Sequence, residues 1–122
     1  MIGYVTVGTN DLPRAAAFCE AIAAAKGGVE ALVRSAAATH AGQGVRVNAV
    51  APGLTETPMT AAMLKLPAMR EGAARQYPLG GVQTAEQVAE VMAWLLGEGA
   101  QRLTGQVIAV DGGFTSVRPL VK

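Results

Sequence analysis

The sequence is poor in aromatic residues, which make up 4% of its 122 residues, and it contains a single cysteine, Cys19. One cysteine cannot form a disulfide within the chain, which is typical of proteins from a reducing compartment. With few bulky rings, the core of a domain this small must be built from short apolar side chains. We therefore expect one small domain of modest stability, located in the cytoplasm.

The charges are also few and nearly balanced, with ten basic and nine acidic residues and a formal net charge of +1. They form no basic stripe, so the sequence does not indicate nucleic-acid binding. No apolar stretch reaches the roughly 20 residues that a membrane-spanning helix needs. The N-terminus does not have the basic, apolar and small-residue order of a secretory signal. We expect neither a nucleic-acid nor a membrane partner.

Strand and helix patterns alternate along the chain. They predict strands over 2–7, 45–50 and 106–110, and helices from about 12 to 41 and from 85 to 96. Strands that are separated by helices run parallel and are joined by right-handed crossovers. The pattern therefore predicts an α/β fold with a three-stranded parallel sheet in the order β-α-β-α-β, which is half of a doubly wound fold.

Two stretches depart from regular patterns. Gly27-Gly28 interrupts the long first helix at a cost of about 2 kcal/mol. Either the helix kinks there or another element packs too closely for a Cβ atom. Residues 54–81 contain three prolines among short amphipathic pieces such as Met59 to Leu66. This stretch is predicted to be a mobile helical excursion.

Some polar residues have a structural explanation that needs no ligand. Thr84, followed three positions later by Gln87, predicts a capping box at the start of a helix. Asn48 in a predicted strand is expected to bond backbone groups, because buried amides need partners. Asp111 is expected to hold the Gly112-Gly113 turn through bonds to the backbone.

Several segments from Lys26 onward resemble the short-chain dehydrogenase/reductase family, in order and at the family's spacing. They are Lys26-Gly27-Gly28-Val29-Glu30-Ala31-Leu32, Arg46-Val47-Asn48-Ala49-Val50-Ala51-Pro52-Gly53, Thr55-Glu56-Thr57-Pro58-Met59, Leu103-Thr104-Gly105-Gln106 and Val110-Asp111-Gly112-Gly113. Each motif alone is weak evidence, but together the motifs are strong evidence for the fold and the ancestry of the chain. The resemblance implies an incomplete Rossmann-like three-layer fold. It implies one truncated domain over 1–122, in which 23–122 corresponds to the family's C-terminal region.

The resemblance also implies a catalytic helix. In the family, a tyrosine exchanges the proton while hydride moves, and a lysine four residues later binds the nicotinamide ribose and lowers the pKa of the tyrosine. Lys26 stands at the lysine position, but Ile22 stands where the family has tyrosine. Thr9 lies thirteen residues before Ile22, where the family has a serine that polarises the carbonyl. Lys26 is thus a vestigial catalytic residue, or simply a solvated lysine, and Thr9 is a weak candidate or a turn residue.

For the cofactor, the resemblance implies binding residues at Lys26, Pro52, Gly53, Thr55 and Thr57. The two threonines have a second explanation, since either could cap the following helix. The chain contains no glycine-rich run of the kind that holds a pyrophosphate at a helix N-terminus. We therefore expect no tight cofactor binding, although NAD or NADP is the cofactor by ancestry.

The first twenty residues have a second resemblance, to the opening strand and helix of glyoxalase-like (vicinal oxygen chelate) proteins. This resemblance rests on Met1-Ile2-Gly3-Tyr4-Val5-Thr6-Val7-Gly8-Thr9-Asn10-Asp11-Leu12-Pro13-Arg14-Ala15-Ala16-Ala17-Phe18. Members that bind metal commonly have a histidine where Tyr4 stands, and His40 alone does not make a metal site. The second resemblance thus implies a foreign origin for residues 1–22, and no metal site is expected.

Three functional hypotheses follow. The first is a truncated or chimeric short-chain dehydrogenase/reductase homologue without hydride transfer of its own, which self-associates as a dimer or tetramer to cover apolar surface. The second is an NAD(P)-dependent oxidoreductase, interconverting carbonyls and alcohols, that is completed by oligomerisation or by a partner. The third is a glyoxalase-like metal-dependent lyase. Saturable binding of NADH or NADPH would distinguish the second from the first, and bound metal would identify the third.

Overall fold

The computed structural model of the chain describes residues 12–117, with side chains from residue 21 onward except that of Ile22. The predicted strand over 2–7 and the candidate residue Thr9 lie outside this range. The helices are α1 (Leu12–His40), α2 (Pro58–Leu64), α3 (Pro67–Ala74) and α4 (Ala85–Leu96). The strands are β1 (Ala49–Pro52), β2 (Thr55–Glu56), β3 (Gln83–Thr84) and β4 (Val107–Val110), and short 3-10 helices span Ala41–Gln43 and Glu98–Ala100.

The strands form two small parallel sheets. β1 pairs with β4, so that Ala49 lies opposite Val107 and Pro52 lies opposite Val110. β2 pairs with β3 in the same parallel sense. The α/β class with parallel strands is confirmed. The three-stranded sheet is tested only for its second and third strands, because the first lies before residue 12. The pairing of β2 with β3 was not predicted, since two residues are too few for an alternating pattern.

The second strand begins later than predicted. The prediction placed it over 45–50, whereas β1 spans Ala49–Pro52. The residues just before β1 form hydrogen bonds with the irregular segment that precedes β4, and not with a strand. The Val47 N–H donates to Thr104 Oγ1 at 3.1 Å, and the Val47 carbonyl accepts from the Gly105 N–H at 2.7 Å. Pro52 is tolerated as the last strand residue, because its missing N–H removes only a terminal ladder bond.

Helix α1 confirms the long predicted helix, including its end. The short 3-10 helix that follows ends at Gly44, which has a left-handed φ of 77° and whose N–H donates to the Ala41 carbonyl at 3.0 Å, as expected of a glycine after a helix. The helix runs unbroken through Gly27 and Gly28. A Cβ added to either would meet nothing within 4 Å in the described part of the chain. No described element packs closely against this pair, and both explanations, a kink or close packing, stay predictions.

The segment after β2 folds into the two short helices α2 and α3, and α2 lies where the predicted amphipathic piece Met59 to Leu66 stands. Pro58 and Pro67 each stand in the first turn of a helix, where the missing N–H of proline breaks no hydrogen bond. The predicted mobility of this segment stays a prediction.

The core is small. Among the residues whose side chains are described, the buried apolar ones are Val33, Ala37, Leu64, Leu95 and Ala100. Helix α1 reaches the sheet region through Ala37, whose Cβ lies 3.5 Å from the position that a Cβ would take on Gly105. Two apolar residues earlier on the same helix, Val29 and Leu32, are 51% and 66% exposed. Part of the apolar face of α1 is therefore exposed in the described part of the chain.

Candidate functional site

The candidate site lies where β1 and β4 end side by side. The Gly53 N–H, just after β1, donates to the carbonyl of Val110, the last residue of β4, at 2.9 Å. The turns that follow both strands therefore meet at one edge of the sheet. In parallel α/β sheets, ligands bind outside the carboxyl ends of the strands. This edge is thus the place where the fold favours a binding site.

Gly53 is required at this edge by close packing. A Cβ on this residue would lie 3.0 Å from both the Asp111 Cα atom and Cε1 of Tyr77. Such distances are shorter than ordinary carbon contacts, so a larger residue would push the two turns apart. The glycine of the Pro52-Gly53 motif is therefore explained by packing of the protein on itself.

Asp111 anchors the turn after β4. It is only 4% exposed, and its carboxylate accepts hydrogen bonds from the Gly113 N–H at 3.0 Å and the Thr115 N–H at 3.1 Å. The Thr115 hydroxyl donates a third bond at 2.6 Å. Burial raises the pKa of Asp111, but the bonds from Thr115 and from the backbone outweigh it and hold the pKa below its ordinary 3.8. The predicted role of Asp111 in the Gly112-Gly113 turn is confirmed.

The two candidate threonines have different surroundings. Thr57 caps α2: its side chain accepts from the Thr60 N–H, and the Thr60 hydroxyl accepts from the Thr57 N–H at 2.9 Å. Thr55 does not cap the helix. Its hydroxyl donates to the Gly53 carbonyl at 3.0 Å and accepts from the Gln83 side-chain amide at 3.0 Å. The capping explanation is thus confirmed for Thr57 and wrong for Thr55, because Thr55 lies in β2 and faces the β3 strand.

The structure brings together four of the candidate residues, Pro52, Gly53, Thr55 and Thr57, because they follow one another at the end of β1. Lys26 lies on α1, is exposed, and forms no hydrogen bond or ion pair with other described residues. The side chain of Ile22 and all of Thr9 lie outside the described part. The geometry of the predicted catalytic helix therefore stays a prediction.

Tyr77 is a residue of this edge that the sequence did not reveal. Its phenolic oxygen accepts from the Leu54 N–H at 2.9 Å, and its ring packs against Phe114 with centroids 5.4 Å apart. A tyrosine between a short helix and a proline has no pattern that would indicate this contact. The bonds of Asn48, by contrast, were expected: its side chain donates to the Leu103 carbonyl at 2.9 Å and accepts from the Gln106 N–H at 3.1 Å.

Two cavities meet at Leu54 and Tyr77, which line both. A cleft of about 640 Å³ lies between β4, α4 and the turn over 79–83, and a cavity of about 240 Å³ lies between α2 and α3.

No group of three or more His, Cys, Asp or Glu residues that could hold a metal occurs within residues 12–117. Over the same residues, none of the helices combines the length and the hydrophobicity of a membrane-spanning segment.

Comparison with known proteins finds relatives that are named as dehydrogenases and reductases. A family model described as "Enoyl-(Acyl carrier protein) reductase" matches residues 4–115. The chain is 48% identical to a cis-4-hydroxycyclohexanecarboxylate dehydrogenase from Sinomonas cyclohexanicum, over 77% of this chain and 37% of that protein. The match to the family model, over residues 4–115, includes most of the N-terminal segment that resembles glyoxalase-like proteins. That resemblance stays a prediction.

Solved structures agree in fold. A short-chain type dehydrogenase/reductase from Mycobacterium ulcerans has a TM-score of 0.68 and 37% identity, over 73% of this chain and 32% of that one. A putative 2-deoxy-D-gluconate 3-dehydrogenase from Agrobacterium tumefaciens with bound NADP has a TM-score of 0.71 and 33% identity, over 77% and 38% of the two chains. The chain thus spans less than two fifths of the length of each of these relatives.

Proposed function

The chain belongs to the short-chain dehydrogenase/reductase family, and on this premise we propose that it supplies the nicotinamide side of an NAD(P)-dependent oxidoreductase. The reaction class is interconversion of alcohols and carbonyls. The observation that carries the proposal is the position of Pro52 to Thr57 at the carboxyl end of a parallel strand, where this fold binds ligands. We further propose that the 122-residue chain does not transfer hydride on its own.

We expect no hydride transfer because the residue at the proton-transfer position cannot exchange a proton. Ile22 has no proton to exchange, although it stands four residues before Lys26, at the family's tyrosine position. Tyr77 does not occupy that position, because it follows α3 and does not lie on the helix that carries Lys26. Without a phenol beside the reacting carbonyl, general acid catalysis worth about 10²–10⁴-fold in rate is lost.

The residues at the strand ends fit a nicotinamide only in part. When bound, a nicotinamide cofactor supplies the group that accepts or donates hydride. The turn over Pro52 and Gly53 and the exposed Lys26 would lie on its side of the site. The hydroxyls of Thr55 and Thr57 are already bonded within the protein, so binding through them requires an exchange of hydrogen bonds. Because the chain also contains no glycine-rich phosphate cradle, we expect weak binding of NAD or NADP.

Self-association is the second part of the proposal. Apolar side chains on two helices are open to solvent: Met92 and Leu96 on α4 are 52% and 85% exposed, and Leu32 on α1 is 66% exposed. Apolar surface of this kind is removed from water when copies of a chain associate. We propose a dimer or tetramer in which residues 1–122 form one domain per copy. Sedimentation over a range of protein concentrations tests this part separately.

The test of the main proposal is a fluorescence titration of the purified chain with NADH and with NADPH, followed by an assay with secondary alcohols. We expect no saturation at micromolar concentrations and no turnover. Micromolar saturation, equivalent to about −8 kcal/mol of binding free energy, would contradict weak binding and favour an oxidoreductase completed by oligomerisation. Turnover by the chain alone would contradict the role given to Ile22.

A further inference from the structure

A further cavity, here called the arginine cavity, lies at the opposite end of the strands from the candidate site. It has a volume of about 460 Å³ and lies between the segment that precedes β1 and the segment that precedes β4. The polar side chains that line it are those of Arg46, Gln101, Arg102 and Thr104. Because β1 and β4 run parallel, the segments before them meet at one edge of the sheet and the turns after them meet at the other. The arginine cavity is therefore separate from the candidate site.

The two arginines of this cavity differ from the other arginines whose side chains are described. Those others each form an ion pair with a glutamate, and they are Arg34, Arg70 and Arg75. Arg46 and Arg102 form no ion pair with the described residues, among which no Asp or Glu lines the cavity. Glu98, four positions before Arg102, is exposed and also forms no ion pair in this range. Two guanidinium charges therefore line one space without a described counter-charge.

Arg46 is held in place by neutral groups. It is half-buried, and its Nη1 donates to the Leu103 carbonyl at 3.2 Å while its Nη2 donates to the Leu95 carbonyl at 2.6 Å, in the last turn of α4. These bonds use two of the five N–H donors of the guanidinium and fix its position. The C-terminus of α4 has a partial negative charge of about half an elementary charge, which offsets the charge of Arg46 only in part. An anion beside Arg46 is therefore electrostatically favoured.

The other polar side chains of the cavity have donors to spare. Arg102 is exposed, and its guanidinium forms no hydrogen bond with the described residues. The side-chain amide of Gln101 is likewise exposed and without a described partner. The Thr104 hydroxyl accepts from the Val47 N–H at 3.1 Å, so its own proton is left to donate. Two cationic groups, an amide and a hydroxyl therefore supply hydrogen-bond donors to the same space.

This set of donors fits an oxyanion. Guanidinium groups bond phosphate oxygens in pairs and keep their charge throughout the physiological pH range. The volume of about 460 Å³ falls within the roughly 300–1,000 Å³ that is typical of small-molecule sites, so there is room for a phosphate that carries a small organic group. We infer that the arginine cavity binds a small phosphate monoester as a dianion, with Arg102 as a direct contact. This inference goes beyond the proposed function and does not depend on it, because the site lies at the other edge of the sheet.

The test uses glycerol 3-phosphate and inorganic phosphate at about pH 8, where both are mainly dianions. Sodium chloride at the same ionic strength is the control for charge screening. In ¹⁵N-labelled protein, the backbone N–H signals of Arg102 and Thr104 report on the cavity, and that of Arg75, which pairs with Glu71, is the internal control. We expect glycerol 3-phosphate to shift the Arg102 and Thr104 signals in a saturable manner, with inorganic phosphate binding no more tightly. Equal shifts with chloride, equal shifts at Arg75, tighter binding of inorganic phosphate, or no shift would overturn the inference.

A pair of variants locates the binding. Arg102→Gln and Arg75→Gln each remove one positive charge from an exposed arginine, but only Arg102 lines the cavity. We expect R102Q to weaken binding of glycerol 3-phosphate at least about tenfold and R75Q to leave it unchanged. Equal effects of the two variants would indicate attraction to net charge alone and would overturn the inference. If R102Q does not fold, the comparison of phosphate with chloride on the unsubstituted chain decides the question. Neither measurement needs a nicotinamide cofactor or an alcohol, so failure here is distinct from failure of the proposed function.

Discussion

The phenolic oxygen of Tyr77 accepts a hydrogen bond from the backbone N–H of Leu54 at 2.9 Å, across 23 positions of sequence. The same ring is in contact with the position where a side chain on Gly53 would begin. A single tyrosine therefore connects the end of α3 to the turn after β1 and forms a wall common to both cavities. The shape of the candidate site depends on this contact.

Replacing Tyr77 with phenylalanine tests the hydrogen bond without removing the ring. The Leu54 N–H is partly buried and would lose its acceptor, so we expect Y77F to lower the free energy of unfolding by about 1–2 kcal/mol. Urea denaturation measures this change. Tyr77→Leu should be more destabilising, because it also removes the contact with Phe114. Equal stability of Y77F and the unsubstituted chain would show that the bond contributes nothing.

The same substitution at two glycines should have opposite effects. Gly53→Ala places a Cβ 3.0 Å from the Asp111 backbone, so we expect a loss of roughly 1–3 kcal/mol. Gly28→Ala adds a Cβ in the interior of α1, where nothing described lies within 4 Å, so we expect a gain of about 0.5–1 kcal/mol. Thermal or urea unfolding compares the two. Destabilisation by G28A would indicate that a contact outside the described residues, or a partner copy, requires this glycine.

We expect Asp111→Asn to make the free energy of unfolding less dependent on pH. The folded state holds the pKa of Asp111 below its ordinary 3.8, so the unfolded chain takes up the proton first as the pH falls. The stability due to the carboxylate is therefore complete above about pH 4 and is lost as the pH falls through the lower, folded pKa. At pH 7 we expect D111N to cost about 1–3 kcal/mol.

Unfolding free energies of both proteins across the acid range check this prediction. The difference between them should shrink at low pH. Glu71→Gln is the control, since Glu71 is 71% exposed in its ion pair and should change stability little at any pH. A constant difference between D111N and the unsubstituted chain would mean that the charge of Asp111 plays no part.

Restoring the family's tyrosine should not restore activity. Ile22→Tyr provides a phenol four residues before Lys26, on the same helix face. It does not provide a binding site for the cofactor's pyrophosphate. We therefore expect no production of NADH or NADPH from secondary alcohols by I22Y. Turnover by I22Y where the unsubstituted chain has none would show that a complete cofactor site forms and that only the proton donor is missing.

The sequence by itself determined what depends on neighbours a few residues apart. The capping box of Thr84 and Gln87 was predicted from spacing and is present, with the Thr84 N–H donating to the Gln87 side chain at 2.9 Å. The bonds of Asp111 in its glycine turn and the end of α1 near residue 41 were also predicted from the local sequence. Family membership also came from the sequence, because its motifs are contiguous stretches in a set order.

The tertiary structure alone decided contacts between distant segments. The late start of β1 and the pairing of β2 with β3 each depend on which backbone groups meet across the fold. The contact of Tyr77 with Leu54 is of the same kind. A residue's own sequence neighbourhood encodes its local conformation, whereas partners more than twenty positions away are selected by the packing of whole elements.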